Sequence, residues 1–139
     1  MSRHNYSEDS DDQWGLIRWR GQVASAIRGK RGQKLLREML TALDAMPVKE
    51  LVADELQADG QYCALGVVGK ARGIDMTSVD PEDSCVVAGL FDVAEPLVRE
   101  ITFINDWDFY HSSNPNATRF HDVRRWVVQN LKEKADAQT

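Results

Sequence analysis

The residues best suited to nucleophilic, acid–base or metal chemistry are two cysteines and three histidines. Cys63 and His121 supply the types of a thiolate nucleophile and its base, with Asn105 or Asp106 to orient the base. Cys63 lies in the small, apolar run CALGVVG. Free cysteine is among the most buried residue types, so an inert buried thiol is the stronger expectation. Cys85 follows SVDPEDS, near an expected helix start, where the dipole lowers a thiol's pKa. A small core residue is the plainer reading there too.

Metal and phosphate chemistry find less support. His4, His111 and His121 have no histidine partner four residues away, the cysteines stand 22 positions apart, and neither CxxC nor HExxH occurs. Asp75, Asp80, Glu82 and Asp83 lack the glycine and terminal glutamate of a calcium loop, and helix capping accounts for the cluster from Asp80 to Asp83. GKRGQ has glycines and a lysine but not the strand–GxxxxGK[ST]–helix context of a phosphate loop. We expect no cofactor, no metal and no catalytic activity. A cysteine-dependent enzyme is the third-ranked reading.

Charge is the stronger signal. The net charge of −5 divides into −3 over residues 1–12, +7 over 13–37 and −9 over 38–139. The segment 13–37 holds Arg18, Arg20, Arg28, Lys30, Arg31, Lys34 and Arg37 without an acid. Between Asp75 and Asp108 nine acids face the single base Arg99. Such blocks steer charged partners, although charge runs are commonly solvated faces. Trp107, Phe109 and Tyr110 interleave with Asp106 and Asp108, and Trp and Tyr are enriched among interface anchors. The slightly stronger expectation is that Trp107 and Phe109 cap the core from a loop. The acidic overall balance argues against direct nucleic-acid binding, which favours a basic domain.

These side chains need elements to position them. The length suits one domain with its own core. No apolar run is long enough for a membrane span, the acidic start is unlike a signal peptide, and two cysteines suggest a reducing, cytoplasmic setting. Residues 1–12 lack aliphatic side chains and are expected to be a disordered acidic tail. Residues 13–134 are expected to form a single helical domain, mainly α, with about five to seven helices.

Trp14, Ile17, Gly21, Ala24 and Ile27 form a helical stripe, and RGKRG breaks the chain before the next helix. Leu35, Leu36, Met39, Leu40 and Leu43 line that second helix, which Pro47 ends. Val48–Leu56 reads as a short helix or a short strand, with the helix favoured by composition, followed by a turn at Asp59-Gly60. Cys63–Gly73 reads as a buried helix closed by Gly73. Asp80 as N-cap and Pro81 as first residue start another, with Val86, Val87 and Leu90 inward. Leu97, Ile101 and Ile104 face inward on the next, which Asn105-Asp106 closes. DWDFYHSSNPN is a loop, and Phe120, Val123, Val127 and Leu131 line the last helix, with Trp126 beside them.

RGKRGQKLLREMLTALDAMP, DGQYCALGVVGKARGIDM and SVDPED, with the later IND and FHDVRRWV, resemble a family of small proteins encoded by bacteriophages and prophages. The resemblance spans roughly residues 13–131. Its most specific part is CALG…ARGID, and the chain departs from the pattern at Trp107–Asn116. The resemblance implies a mobile element in a bacterium. Small acidic phage proteins of this size include inhibitors of host defence, among them anti-CRISPR proteins.

The leading expectation is therefore a phage-encoded, non-enzymatic inhibitor. Its partner would be a host protein complex, foremost the subunits of a CRISPR–Cas effector, which hold RNA in basic channels. Asp80, Glu82, Asp83, Glu95, Glu100, Asp106 and Asp108 would supply complementary charge, and Trp107 and Tyr110 would anchor. The runner-up is a nucleic-acid-binding regulator using Arg28, Lys30, Arg31 and Lys34.

Overall fold

In a computed structural model, residues 3–4 and 13–132 are described. The described chain is mainly α. Six helices run in the order α1 (Gln13–Arg28), α2 (Lys30–Ala45), α3 (Ala64–Arg72), α4 (Ser84–Phe91), α5 (Glu95–Asn105) and α6 (Pro115–Asn130). One antiparallel hairpin, β1 (Gln57–Ala58) and β2 (Gln61–Tyr62), stands between α2 and α3. Of the expected tail, only Arg3 and His4 are described; the rest of 1–12, and residues 133–134 at the end of the expected domain, lie outside the described residues.

The core follows the apolar periodicity of α2. Leu35, Leu36, Met39 and Leu43 are fully buried, and Leu40 packs at their edge. α3 packs against α2, and its glycines admit close neighbours on other sides. Gly66 lies where a Cβ would meet Leu56 O, and Gly69 lies against Met76 Sδ and Phe91. α4 and α5 add Val87, Phe91, Leu97, Val98 and Ile101, and α6 closes the core with Phe120, Val123 and Val127. Gly73, at φ 74°, ends α3 as expected, its N–H returning to Gly69 O and Lys70 O.

Four expectations need correcting. The inward face of α1 is met only in part: Ile27 packs against the core as expected, but Trp14 and Ile17 stand 73 % and 60 % exposed, and Val23 is buried instead. Trp19 is turned toward α5, where the Arg99 guanidinium sits 4.2 Å from its ring centroid, an attraction that hydrophobic periodicity does not register.

The second correction concerns RGKRG, which contains one break, Gly29. Gly32 belongs to α2, at a contact where a Cβ would fall 1.9 Å from Ala26 O. Beside it, buried Gln33 donates to Ile27 O and Asn130 O and accepts from Lys132 N–H, tying the ends of α1 and α6 to α2.

Third, Val48–Leu56 is not helical. Tertiary partners override its propensity: Leu51 N–H donates to Asn116 O and Val52 N–H to Tyr62 O. The expected Asp59-Gly60 turn is present, with φ of 52° and 79°, and joins the two strands.

Fourth, Asp80-Pro81 makes a turn rather than the first turn of α4. Asp83 is the N-cap, accepting from Val86 N–H at 3.2 Å. Val86 is exposed and Phe91 takes the buried place.

Gly32→Ala should lower stability by about 2 kcal/mol through overpacking. Gly89→Ala, at an exposed helical site with no atom within 4 Å of the added Cβ, should raise it by up to about 1 kcal/mol. Chemical denaturation of both variants checks the pair.

Candidate functional site

The C-terminal end of α5 holds the densest polar contacts. Asn105 is buried, and its side chain faces three segments. Oδ1 accepts Ala64 N–H at 3.0 Å, and Nδ2 donates to Val52 O and to Asp106 Oδ1, each at 2.9 Å. Asp106 Oδ1 also accepts Asp54 N–H at 3.0 Å, which holds Asp54 at φ 68°. The same carboxylate takes Arg3 in a two-point contact, Nε to Oδ2 at 2.5 Å and Nη2 to Oδ1 at 2.7 Å. Both side chains are nearly excluded from solvent, at 2 % and 5 % exposure.

Below this pair lies Cys63. It is buried, and its Sγ caps α3 by accepting Gly66 N–H at 3.3 Å, while Arg3 Nη1 lies 3.7 Å away. Both of these partners are donors. Arg119, on α6, covers the other side of Asn105. It donates to Asn105 O, Leu51 O, Asn116 Oδ1 and Trp107 O. Among the described residues no buried side-chain nitrogen or oxygen lacks a partner.

Burial works against the Asp106 charge, but the hydrogen bond and charge of Arg3, then Asp54 N–H and Asn105, hold its carboxyl below the ordinary range. His4 shifts down chiefly because burial disfavours its cation. Its ring meets Phe103 edge-on at 5.1 Å, and its carbonyl accepts Arg99 Nε at 2.7 Å.

The loop after Asp106 is pinned from inside. Phe109 is half-buried with the Arg119 guanidinium 5.5 Å from its ring centroid, and Phe109 O accepts Ser112 N–H. Asn114 caps α6 and donates to Glu50. Trp107 and Tyr110 point outward instead, at 56 % and 70 % exposure. Trp107 leans edge-on against Phe103 at 5.7 Å, and Tyr110 lies 4.1 Å from the His111 ring.

The candidate acids fall into groups. Asp80, Glu82 and Asp83 are exposed on the turn before α4, with Asp80 accepting Glu82 N–H. Glu95, at the start of α5, accepts from Ser84 Oγ at 2.6 Å and from Cys85 Sγ at 3.4 Å. Glu100 is half-buried midway along α5, and Asp106 and Asp108 lie past its end. The eleven residues of α5 separate the two ends by roughly 16 Å at ~1.5 Å per residue. Asp106 is committed to Arg3 and Asp54, whereas Asp108 is exposed.

Of the basic set, Arg28, Lys30 and Lys34 are exposed around Gly29. Arg31 pairs with Asp92 at 3.2 Å, both being exposed, so the basic turn meets the acidic block there. Cys85 is exposed and so not the expected core residue, and Glu95 pushes its thiol up, by hydrogen bond and charge, opposite to the helix-start expectation. No group of three or more metal-ligating side chains occurs among the described residues. No described helix is long and apolar enough to cross a membrane.

Sequence reasoning missed two features. One is an open groove of about 480 Å³ between the end of α2, the hairpin and α3, lined in part by Met46, Pro47, Val48, Tyr62 and Val67. The other is Arg3 as partner of Asp106, 103 positions away, which no local pattern could reveal. The fold and this polar centre define a mainly α domain whose α5 terminus holds a buried arginine. Comparison with protein-family models, with curated proteins and with solved structures returns no match.

Both titrations near Arg3 load the contact in one direction. His4, lowered in the fold, favours docking above about pH 6.5 and weakens it as it protonates. Asp106, also lowered, stabilises above about pH 4 and loses that contribution as pH falls through its depressed native value. The Asp54 amide resonance should therefore move with a midpoint below about 3.9. A midpoint at or above the ordinary aspartate value would contradict the Arg3 contact.

Proposed function

We propose that this chain is a binding protein without catalytic activity, of phage origin, that inhibits a host defence complex by docking on it. The observation that carries this reading is the pairing of exposed Trp107 and Tyr110 on a loop whose backbone is already pinned. Rigid exposed aromatics make efficient anchors because little ordering entropy is lost when they bind. Asp108 beside them, and Asp80, Glu82 and Asp83 at the other end of α5, favour a basic partner surface. Glu95 and Glu100 lie between these groups, while Asp106 supports the anchor loop from within. The partner class, a CRISPR–Cas effector with its basic RNA channel, rests on the resemblance carried by CALG…ARGID and on this charge match.

Binding to purified CRISPR–Cas effector complexes tests the proposal. The Trp107→Ala/Tyr110→Ala variant should keep its melting temperature and lose at least about 30-fold in affinity, as expected for two anchors. Lysine at Asp80, Glu82 and Asp108 together should slow association and weaken its salt dependence. Unchanged binding by the aromatic variant, or no binding by the native chain, would overturn the reading.

The exposure of Arg28, Lys30 and Lys34 at one corner favours a second reading, a nucleic-acid-binding regulator, with Arg31 contributing once released from Asp92. It predicts DNA or RNA affinity that falls steeply with salt, with a slope near −0.9 for each phosphate contact on duplex DNA. Absence of binding at low salt removes it.

A further inference from the structure

Arg3 enters the polar centre from the start of the chain, yet the cavity it fills is built by other segments. Asp106 Oδ1 is held by Asp54 N–H and Asn105 Nδ2, and Cys63 Sγ by Gly66 N–H. None of these bonds involves Arg3. The buried apolar core likewise draws nothing from residues 3–4.

All three nitrogens of the occupant are matched. Nε and Nη2 take the two Asp106 oxygens, and Nη1 faces Cys63 Sγ. This is the planar two-point geometry that suits a guanidinium and that an ammonium cannot reproduce.

We propose that Asp106, Cys63 and the backbone at Asp54 form a guanidinium-binding socket, filled in cis by Arg3 and open in trans to an arginine side chain of a second protein. Emptied, the socket would leave the Asp106 carboxylate without its two-point partner, an arrangement that favours refilling. Beside the guanidinium, the His4 ring meets Phe103 and the His4 carbonyl accepts Arg99 Nε. Phe103 also supports Trp107, so an arginine entering from a partner docked on Trp107 would reach the socket alongside an anchor. In that respect the inference deepens the docking reading by adding arginine to the partner's chemistry. The socket itself rests on the Arg3 geometry alone, and its test requires no partner.

The test titrates the full-length Arg3→Ala variant with argininamide, following melting temperature and the Asp54 and Asp106 amide resonances. A saturable rise in melting temperature, with shifts at both amides, is expected. Lysinamide should be at least about tenfold weaker, because it lacks the fork. The native chain should respond at least about tenfold more weakly than the variant, because its own Arg3 competes at high effective concentration. No saturable response in the variant, or equal responses to the two amides, would overturn the socket. Should Arg3→Ala fail to fold, Arg3→Lys carries the same titration with the same expected discrimination. A socket that binds argininamide in a chain whose Trp107→Ala/Tyr110→Ala variant still binds its effector would stand while the docking reading falls. The reverse pattern would remove the socket alone.

Discussion

A buried amide next to a buried carboxylate cannot be left partly satisfied, and the end of α5 is built around that requirement. Asn105 and Asp106 together present more donors and acceptors than one helix terminus can use. They recruit the α3 N-terminus through Ala64, the loop before the hairpin through Val52 and Asp54, and the chain start through Arg3. Arg119 completes the set from α6 by taking the carbonyls of Leu51, Asn105 and Trp107. Desolvating such a network is costly unless every member has a partner, and a fully satisfied network specifies one arrangement. The irregular segment 46–56 keeps its shape through these bonds, in place of helical ones.

This centre also sorts the charges. The acidic block looks like one surface when counted along the chain, but α5 divides it. Asp106 turns inward, Asp92 meets Arg31, and Glu95 is engaged by Ser84. Asp80, Glu82, Asp83 and Asp108 remain exposed. The aromatic loop is arranged by the same network, since Arg119 holds Trp107 O and covers Phe109. Its outward residues, Trp107 and Tyr110, are therefore displayed by a loop whose carbonyls at Trp107 and Phe109 are hydrogen-bonded.

Much of the helical architecture was readable before any coordinates. The α2 stripe, the α6 stripe, Gly73 as the end of α3 and Asn105-Asp106 as the end of α5 all follow from local rules of periodicity and capping, and local rules held there because nearby residues make those contacts. They failed where distant partners decide. Val48–Leu56 has helical composition, but its backbone bonds go to Asn116 and Tyr62. On α1, Trp19 meets Arg99 across 80 positions. Gly32 looked like a helix break because glycine serves both turns and close approaches, and only the neighbouring Ala26 carbonyl distinguishes them. Among the candidate site residues, Phe109 turns inward as a core cap would, but Trp107 does not and is exposed; the inward role of Asp106 depends on Arg3 and has no local signature.

Native-state hydrogen exchange at the Ala64 and Asp54 amides tests the central role of the Asn105–Asp106 pair most directly. Ala64 is the first residue of its helix and Asp54 lies outside regular structure, so neither amide has a helical carbonyl to protect it. If Asn105 and Asp106 organise the centre, Ala64 will exchange as slowly as the amides of α2, and Asp54 will be protected to the extent that Arg3 stays docked. Exchange of both amides at rates typical of open loops would contradict the account.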